Sequence, residues 1–145
     1  MSARQVAIVL AGAGLLDDKP ATTHRAAQSA LGLMGARPQR DERIVCSGPG
    51  IVTAAGVSAG IDMALWLVGE IYGPKRAQTI QLDIEYDPRP PFDAGHPGKA
   101  TAEVQRASMA DQALLMRSFG AGELLHTFTG AQRAIWRNVL RRIRG

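Results

Sequence analysis

The chain has 145 residues, of which 46% are hydrophobic and 21% are charged, and it carries a formal net charge of +4 at pH 7. This length suits a single globular domain with a sizeable core, and the composition excludes collagen-like and intrinsically disordered classes. No apolar run approaches the roughly 20 residues that a transmembrane helix needs, so no membrane partner is expected.

The N-terminal residues resemble a secretory signal only in part. Residues 1–13 carry Arg4, an apolar run and small residues, but the apolar run at 6–10 is shorter than such signals use. Cys46 is the single cysteine, which excludes an internal disulfide and suits a reducing compartment. We therefore expect a cytoplasmic protein.

Residues 6–16 are rich in small and aliphatic side chains, which fits either a strand entering a glycine turn or a buried helix. The stretch at 11–14 matches part of a dinucleotide-binding loop. Asp17 stands where the third glycine belongs, and no acidic residue closes a βαβ unit at the right distance. Helix packing is therefore the favoured interpretation, and no cofactor is expected.

Residues 17–20 predict a turn, and residues 21–24 a short extended segment that ends at His24. Strand ends are where α/β sheets place catalytic groups, so His24 is a candidate functional residue. A helix follows over 25–34 and stops at Gly35. Its predicted buried face consists of Ala27, Ala30, Leu31 and Met34.

Residues 37–53 predict a strand, a turn at 47–50 and a returning strand. Cys46 falls in the first strand, where no helix N-terminus or cation activates its thiol, so we expect inert packing in the core. His96 and His126 show no metal-ligand spacing, and no metal site is predicted.

A helix is predicted over 57–72, after a glycine-bearing turn, with Ser58 as its N-cap. It is apolar almost all round, which indicates burial between layers of an α/β sandwich. Gly73 and Pro74 break it, and a second helix is predicted over 75–86. The sequence further predicts a proline-rich surface loop at 87–97 and a helix at 101–119.

The positive charge is concentrated at the C-terminus, where five arginines lie in the last thirteen residues with no acid among them. Arginines beside Trp136 are compatible with nucleic-acid binding. The C-terminal end of a helix also favours cations, and Ile135 and Val139 supply an apolar docking face. We expect a solvated helix over 130–144, and nucleic acid is not an expected partner.

Three segments follow one another in an informative order: ATTH ending at His24, GVSAGIDMAL at 56–65, and IEYDP at 84–88 followed by PPF at 90–92. Together they are similar to the ThiJ/PfpI superfamily, whose fold is that of class I glutamine amidotransferases. The nearest branches are the isonitrile hydratases and the sensor domains of AraC-type transcriptional regulators. The resemblance is strongest over 7–100, and 101–145 is expected to be a helical C-terminal extension.

The resemblance implies an α/β fold with a flavodoxin-like parallel sheet sandwiched by helices. We expect residues 1–145 to form one truncated domain that lacks the N-terminal strands of the family. Missing strands would leave an unpaired sheet edge and bare helix surface. A homo-oligomer is therefore the expected assembly.

The resemblance also implies a nucleophilic cysteine on a strand-to-helix elbow, twenty positions before the family histidine. That position is Arg4 in this chain. A guanidinium is not a nucleophile, so Arg4 cannot replace a thiolate. Hydration of isonitriles to N-substituted formamides is accordingly expected to be absent.

His24 is the retained family histidine and the expected catalytic residue. The predicted binding residues for a small-molecule ligand are Thr23, Gly56, Val57 and Ser58. Two alternatives stay open. One is a non-catalytic ligand-binding or regulatory module like the AraC-type sensor domains, and the other is a residual hydrolase that uses His24.

Overall fold

The structure is a computed structural model that describes residues 3–118 and positions 132, 135, 136, 139 and 140. One helix, one strand and a second helical segment come first, followed by three strands and then by three helices. The helices are α1 (Ala3–Gly12), α2 (Gln28–Leu33), α3 (Val57–Tyr72), α4 (Pro74–Asp83) and α5 (Ala102–Ser118). The strands are β1 (Pro20–Ala21), β2 (Arg37–Pro38), β3 (Ile44–Gly48) and β4 (Ile51–Ala54).

The strands form one parallel pair and one hairpin. In the parallel pair, β1 lies beside β2 with Ala21 opposite Pro38. The crossover between them passes through α2, as a parallel connection requires. β3 and β4 are antiparallel, with Cys46 opposite Val52 and an irregularity before Gly48. The expected α/β class is thus confirmed, and the hairpin turn lies where the sequence predicts it.

Residues 6–16, for which the sequence allowed either a strand or a helix, form most of the helix α1 and the turn after it. Its Ala7 and Ala11 are buried against Leu31 and Met34 of the following helical segment. A Cβ on Gly12 would lie 3.6 Å from the Met34 methyl group, so small residues allow this close approach. The stretch at 11–14 is therefore the end of a packed helix, as favoured above, and not a phosphate-binding loop.

The helix predicted over 25–34 begins with a 3₁₀ turn at Arg25–Ala27 and continues as α2. Leu31 and Met34 are buried as predicted, and Gly35 ends the helix with φ +105°. Ala30 is exposed, however, and Gln28 is buried instead. The tighter 3₁₀ turn changes the phase of the helix that follows, so the buried face is rotated from the predicted one.

α3 has the predicted bounds but not the predicted environment. Ala59 is its one fully buried residue, whereas Val57 and Ile71 are 71% and 61% exposed. One side of α3 packs on α1, β3 and β4, and another packs on α4. The side that carries Val57 and Ile71 stays exposed. Burial between two layers was therefore a wrong prediction for this chain by itself.

The ends of α3 are set by glycines. Gly56 is the N-cap, and no side chain caps the helix, so the prediction that Ser58 is the N-cap was wrong. Gly73 closes the helix at φ +86° and ψ 156°, and Pro74 follows as the first residue of α4. Proline suits that position because its missing N–H would have no helical partner. α4 ends at Asp83, three residues before the predicted end.

A polar cluster of Arg43, Asp62 and Tyr86 joins the hairpin to α3 and to the segment after α4. The Tyr86 hydroxyl donates to Asp62 Oδ1 at 2.7 Å, and the Arg43 guanidinium donates to Asp62 Oδ2 and forms an ion pair with it. Partial burial raises the pKa of Asp62, but the bonds from Tyr86 and Arg43 outweigh it and hold that pKa below its ordinary value. The hydrogen bond to Asp62 raises the pKa of Tyr86.

The proline-rich loop at 87–97 is exposed, as predicted, and α5 follows close to its predicted bounds. No helix in the described stretches is both long and apolar enough to cross a membrane. Ile135 packs against the core around α1. Most of the helix predicted over 130–144, with its five arginines, lies outside the described residues, and so does His126.

Two glycines at the corner between α3 and α4 give a matched test of backbone freedom. A Cβ on Gly69 would meet the Ala77 Cβ at 3.7 Å, an ordinary contact. Gly69→Ala should therefore stabilise the protein by about 0.5–1 kcal/mol, since alanine is the better helix former. Gly73→Ala should destabilise it by about 1–3 kcal/mol, because few side chains tolerate that backbone conformation. Urea unfolding of both variants measures these changes, and equal effects would contradict the prediction.

Acid should weaken the cluster around Asp62. The pKa of Asp62 is lower in the folded protein than in the unfolded chain, so its stabilisation is present above about pH 4 and lost as the pH falls through the lowered pKa. Asp62→Asn should cost about 1 kcal/mol or less at neutral pH and less still in acid. Urea unfolding from pH 7 to pH 3 tests this. Asp93→Asn, which removes a surface ion pair with Lys99, is the control and should show the smaller change.

Candidate functional site

The candidate site begins where β1 ends. Thr22 and Thr23 are fully buried there, and His24 is half-buried at the start of the 3₁₀ turn. The Thr22 N–H donates to Thr53 Oγ1 at 3.0 Å. Because Thr22 lies two residues before His24 and Thr53 three residues before Gly56, this bond places the ends of β1 and β4 side by side. The two predicted groups of site residues therefore follow neighbouring strand ends.

Buried hydroxyl groups hold these strand ends together. Thr53 Oγ1 donates to the Val45 carbonyl at 3.4 Å and lies 3.4 Å from Ser47 Oγ. Thr22 Oγ1 donates to the Glu42 carbonyl at 3.1 Å. Buried polar groups are retained when such bonds replace the lost water contacts. The network thus fixes β1 against the hairpin ahead of His24.

Gln28 adds a second restraint on the same segment. Its amide Nε2 donates to Thr22 Oγ1 at 3.1 Å and to the Thr23 carbonyl at 2.9 Å. The residue is 3% exposed, and its Oε1 is buried without a partner among the described residues. The sequence analysis missed Gln28. Its spacing of three residues from Leu31 was the available signal, since residues three apart share a helix face.

The His24 imidazole caps the 3₁₀ turn that follows it. Its Nδ1 accepts the Ala26 N–H at 3.4 Å, and the His24 carbonyl accepts the Ala27 N–H at 2.8 Å. An imidazole that accepts at Nδ1 carries its proton at Nε2 when neutral. In this arrangement Nε2 carries the ring proton, and the basic nitrogen Nδ1 accepts from the Ala26 backbone.

Arg25 connects the site to α5. Its Nη2 donates to Ser108 Oγ at 2.6 Å, and Gln112 Nε2 lies 3.4 Å from the same hydroxyl. α5 is therefore held next to the turn that carries His24. Nothing in the sequence pattern predicts this contact, because the partners are 83 residues apart.

The N-terminus of α3 supplies the other predicted binding residues. Gly56 has an extended backbone with φ −174°, while Val57 and Ser58 are exposed in the first turn. The N-terminal end of a helix carries partial positive charge and N–H groups without intrahelical partners. The arrangement can orient a polar or anionic group of a ligand near the end of β4.

Arg4 and Cys46 are the two positions on which nucleophilic chemistry depends. Arg4 lies in the first turn of α1. Cys46 is exposed on β3, while its neighbours Val45 and Ser47 are buried, so the predicted core packing of the thiol was wrong. Since strand side chains alternate between faces, Cys46 faces away from the hydroxyl network that contains Ser47.

The described residues were compared with the side-chain clusters that bind metal ions. No group of three or more histidine, cysteine or carboxylate side chains that could hold a metal ion occurs among the described residues. His96 lies in the exposed loop, where its Nδ1 accepts the Gly98 N–H at 3.1 Å. It therefore has a local role in the loop.

The fold is an α/β arrangement in which His24 follows the end of a parallel strand. Over 97 residues, or 67% of its length, the chain is 47% identical to the isonitrile hydratase of Pseudomonas putida, of which it covers 42%. Its structure matches a ThiJ/PfpI family protein from Pseudomonas syringae with a TM-score of 0.66 and 33% identity, over 88% of this chain and 47% of that one. No family model matches the chain.

The chain belongs to the ThiJ/PfpI superfamily, as these two similarities and the motif order together show. It spans less than half the length of both relatives. The similarity to isonitrile hydratase agrees with the branch that the sequence motifs indicate.

The role of Gln28 can be tested by removing its two donated hydrogen bonds. Gln28→Ala leaves the buried Thr23 carbonyl without this donor and should cost about 1–3 kcal/mol of unfolding free energy. Gln28→Glu should cost more, because it also buries a charge. Ser29→Ala, on the exposed side of the same helix, is the matched control. Urea unfolding at pH 7 would contradict this role if Gln28→Ala cost no more than the control.

Proposed function

We propose that this chain is an isonitrile-hydratase-like ThiJ/PfpI protein that does not itself hydrate isonitriles to N-substituted formamides. The observation that carries the proposal is the residue at position 4. The family resemblance assigns a nucleophilic cysteine to that position, and this chain has Arg4 there, in the first turn of α1.

The chemistry supports the proposal. In a cysteine-dependent hydration, a thiolate forms a bond to the isonitrile carbon, and water later displaces the sulfur. A guanidinium stays protonated near neutral pH and has no lone pair for such an attack. Cys46 is a poor substitute, because its thiol lies on the face of β3 opposite Ser47 and the network beneath His24.

His24 alone is also a poor basis for turnover. General acid–base catalysis by one residue contributes about 10²–10⁴-fold, whereas enzymes reach about 10⁶-fold or more. The bond from the Ala26 N–H to Nδ1 further occupies the lone pair that a general base would use. A residual hydrolase using His24 is therefore the less favoured alternative.

Isonitrile hydration by the purified chain tests the proposal directly. Loss of the isonitrile and formation of the formamide should not exceed the rate without protein, while Pseudomonas putida isonitrile hydratase serves as the positive control. Cys46→Ser should leave this result unchanged. Turnover by the natural chain that disappears in His24→Ala would overturn the proposal and establish a hydrolytic role for His24.

A second candidate is a ligand-binding or regulatory module like the AraC-type sensor domains. It is favoured by the α3 N-terminus, where no side chain caps the helix and Val57 and Ser58 are exposed near the end of β4. Thr23, Gly56, Val57 and Ser58 would hold the small molecule beside His24. A rise in melting temperature with a small polar ligand, without turnover, would favour this candidate over the first.

We also propose a cytoplasmic location. The exposed free thiol of Cys46 supports it, because a reducing compartment keeps such a thiol from forming disulfides between chains.

A further inference from the structure

The first turn of α3 has few contacts of its own. Gly56 has no side chain, and a Cβ added to it would meet no atom within 4 Å. Val57 is 71% exposed, Ser58 is exposed as well, and no side chain caps the helix. Ala59 is buried, but one methyl group fixes how closely the turn approaches the body of the protein and not how the turn is tilted. The direction of the turn therefore depends on the residues on either side of it.

One residue, Arg43, makes contacts on both sides of this turn. Before the turn, the Arg43 carbonyl accepts the Ala55 N–H at 2.9 Å. After the turn, the Arg43 guanidinium donates to Asp62 Oδ2 through Nη2 and, at 3.1 Å, through Nε. A backbone hydrogen bond at one end and a charge-assisted pair at the other thus bracket residues 56–61.

The residue before Arg43 holds the other half of the candidate site. The Glu42 carbonyl accepts the Thr22 hydroxyl at 3.1 Å, and Thr22 lies two residues before His24. Residues 42 and 43 are consecutive, and their Cα atoms are about 3.8 Å apart across a trans peptide bond. The segment that leads to His24 and the first turn of α3 are therefore bonded to neighbouring residues, which limits how far they can separate.

The exposure of the Arg43–Asp62 pair argues against a mainly stabilising role. The two side chains are 56% and 32% exposed. Exposed ion pairs contribute little to the free energy of unfolding, because water screens the two charges. A planar guanidinium that donates twice to one carboxylate still fixes a direction. We therefore expect Arg43 to act on the local geometry of α3 more than on overall stability.

We propose that Arg43 is a positioning residue of the candidate ligand site, and that it holds the first turn of α3 in a fixed direction relative to His24. The inference rests on the ligand-binding candidate, because a residue positions a site only if Thr23 and residues 56–58 bind a ligand. A turn that is already held in one direction presents its N–H groups to a polar ligand without a further ordering cost on binding.

NMR of the backbone amides in the full chain, without ligand, tests the proposal. Arg43→Ala removes the guanidinium but keeps the carbonyl that Ala55 uses. The Val57 and Ser58 amide signals should shift, and their order parameters should fall from about 0.85, the value of rigid backbone, to below about 0.6. The Thr22 amide should keep its position, because the Glu42 carbonyl stays in place.

Two further variants separate positioning from a general loss of structure. Arg43→Lys keeps a positive charge within reach of Asp62 and should restore most of the order at Val57 and Ser58. Arg89→Ala removes an arginine from another exposed ion pair, with Asp87, and should leave both amides unchanged. The proposal is overturned if Arg43→Ala leaves the two amides as they are, if its effect spreads evenly over β3 and β4, or if Arg43→Lys behaves like Arg43→Ala.

The result for Arg43 is distinguishable from the result for the ligand-binding candidate. If Arg43→Ala loosens the turn but N-methylformamide leaves the melting temperature of the natural chain unchanged, the ligand-binding candidate fails for amide ligands and the positioning effect stands. If N-methylformamide raises the melting temperatures of the natural chain and of Arg43→Ala equally, the positioning role fails and the ligand-binding candidate stands.

Discussion

The bond from the Thr22 N–H to Thr53 Oγ1 is the constraint on which the rest of the site depends. The parallel pair and the hairpin are separate sheets, and this bond joins the residue after β1 to a side chain of β4. Together with the bond from Thr22 Oγ1 to the Glu42 carbonyl, it holds the segment that leads to His24 against the hairpin that leads to α3. The buried amide of Gln28 then holds the same segment from the side of α2.

Local features of the fold could be predicted from the sequence because they depend on nearby residues. Gly73 with Pro74 ends α3 through backbone geometry that those residue types impose, whereas the N-cap of α3 is Gly56 and not the predicted Ser58. The hairpin turn and the exposed proline loop follow from the same kind of local rule. The superfamily could also be predicted, since three motifs occur in a specific order.

Other features depend on tertiary contacts between residues far apart in the chain, and the sequence pattern does not contain that information. An apolar helix is buried only if something covers it, and one side of α3 has no cover among the described residues. The direction of Cys46 depends on the register of β3, where a shift of one residue exchanges the two faces. The partners of Gln28 and Arg25 require knowledge of which strand or helix lies opposite.

The contact between Arg25 and Ser108 makes the geometry around the imidazole sensitive to a distant part of the chain. The guanidinium belongs to the turn that His24 caps, while the hydroxyl belongs to α5, which follows the exposed proline loop. A displacement of α5 would pull on the first residue after His24. A single side-chain hydrogen bond thus ties the backbone turn that carries His24 to a helix more than 80 residues further along the chain.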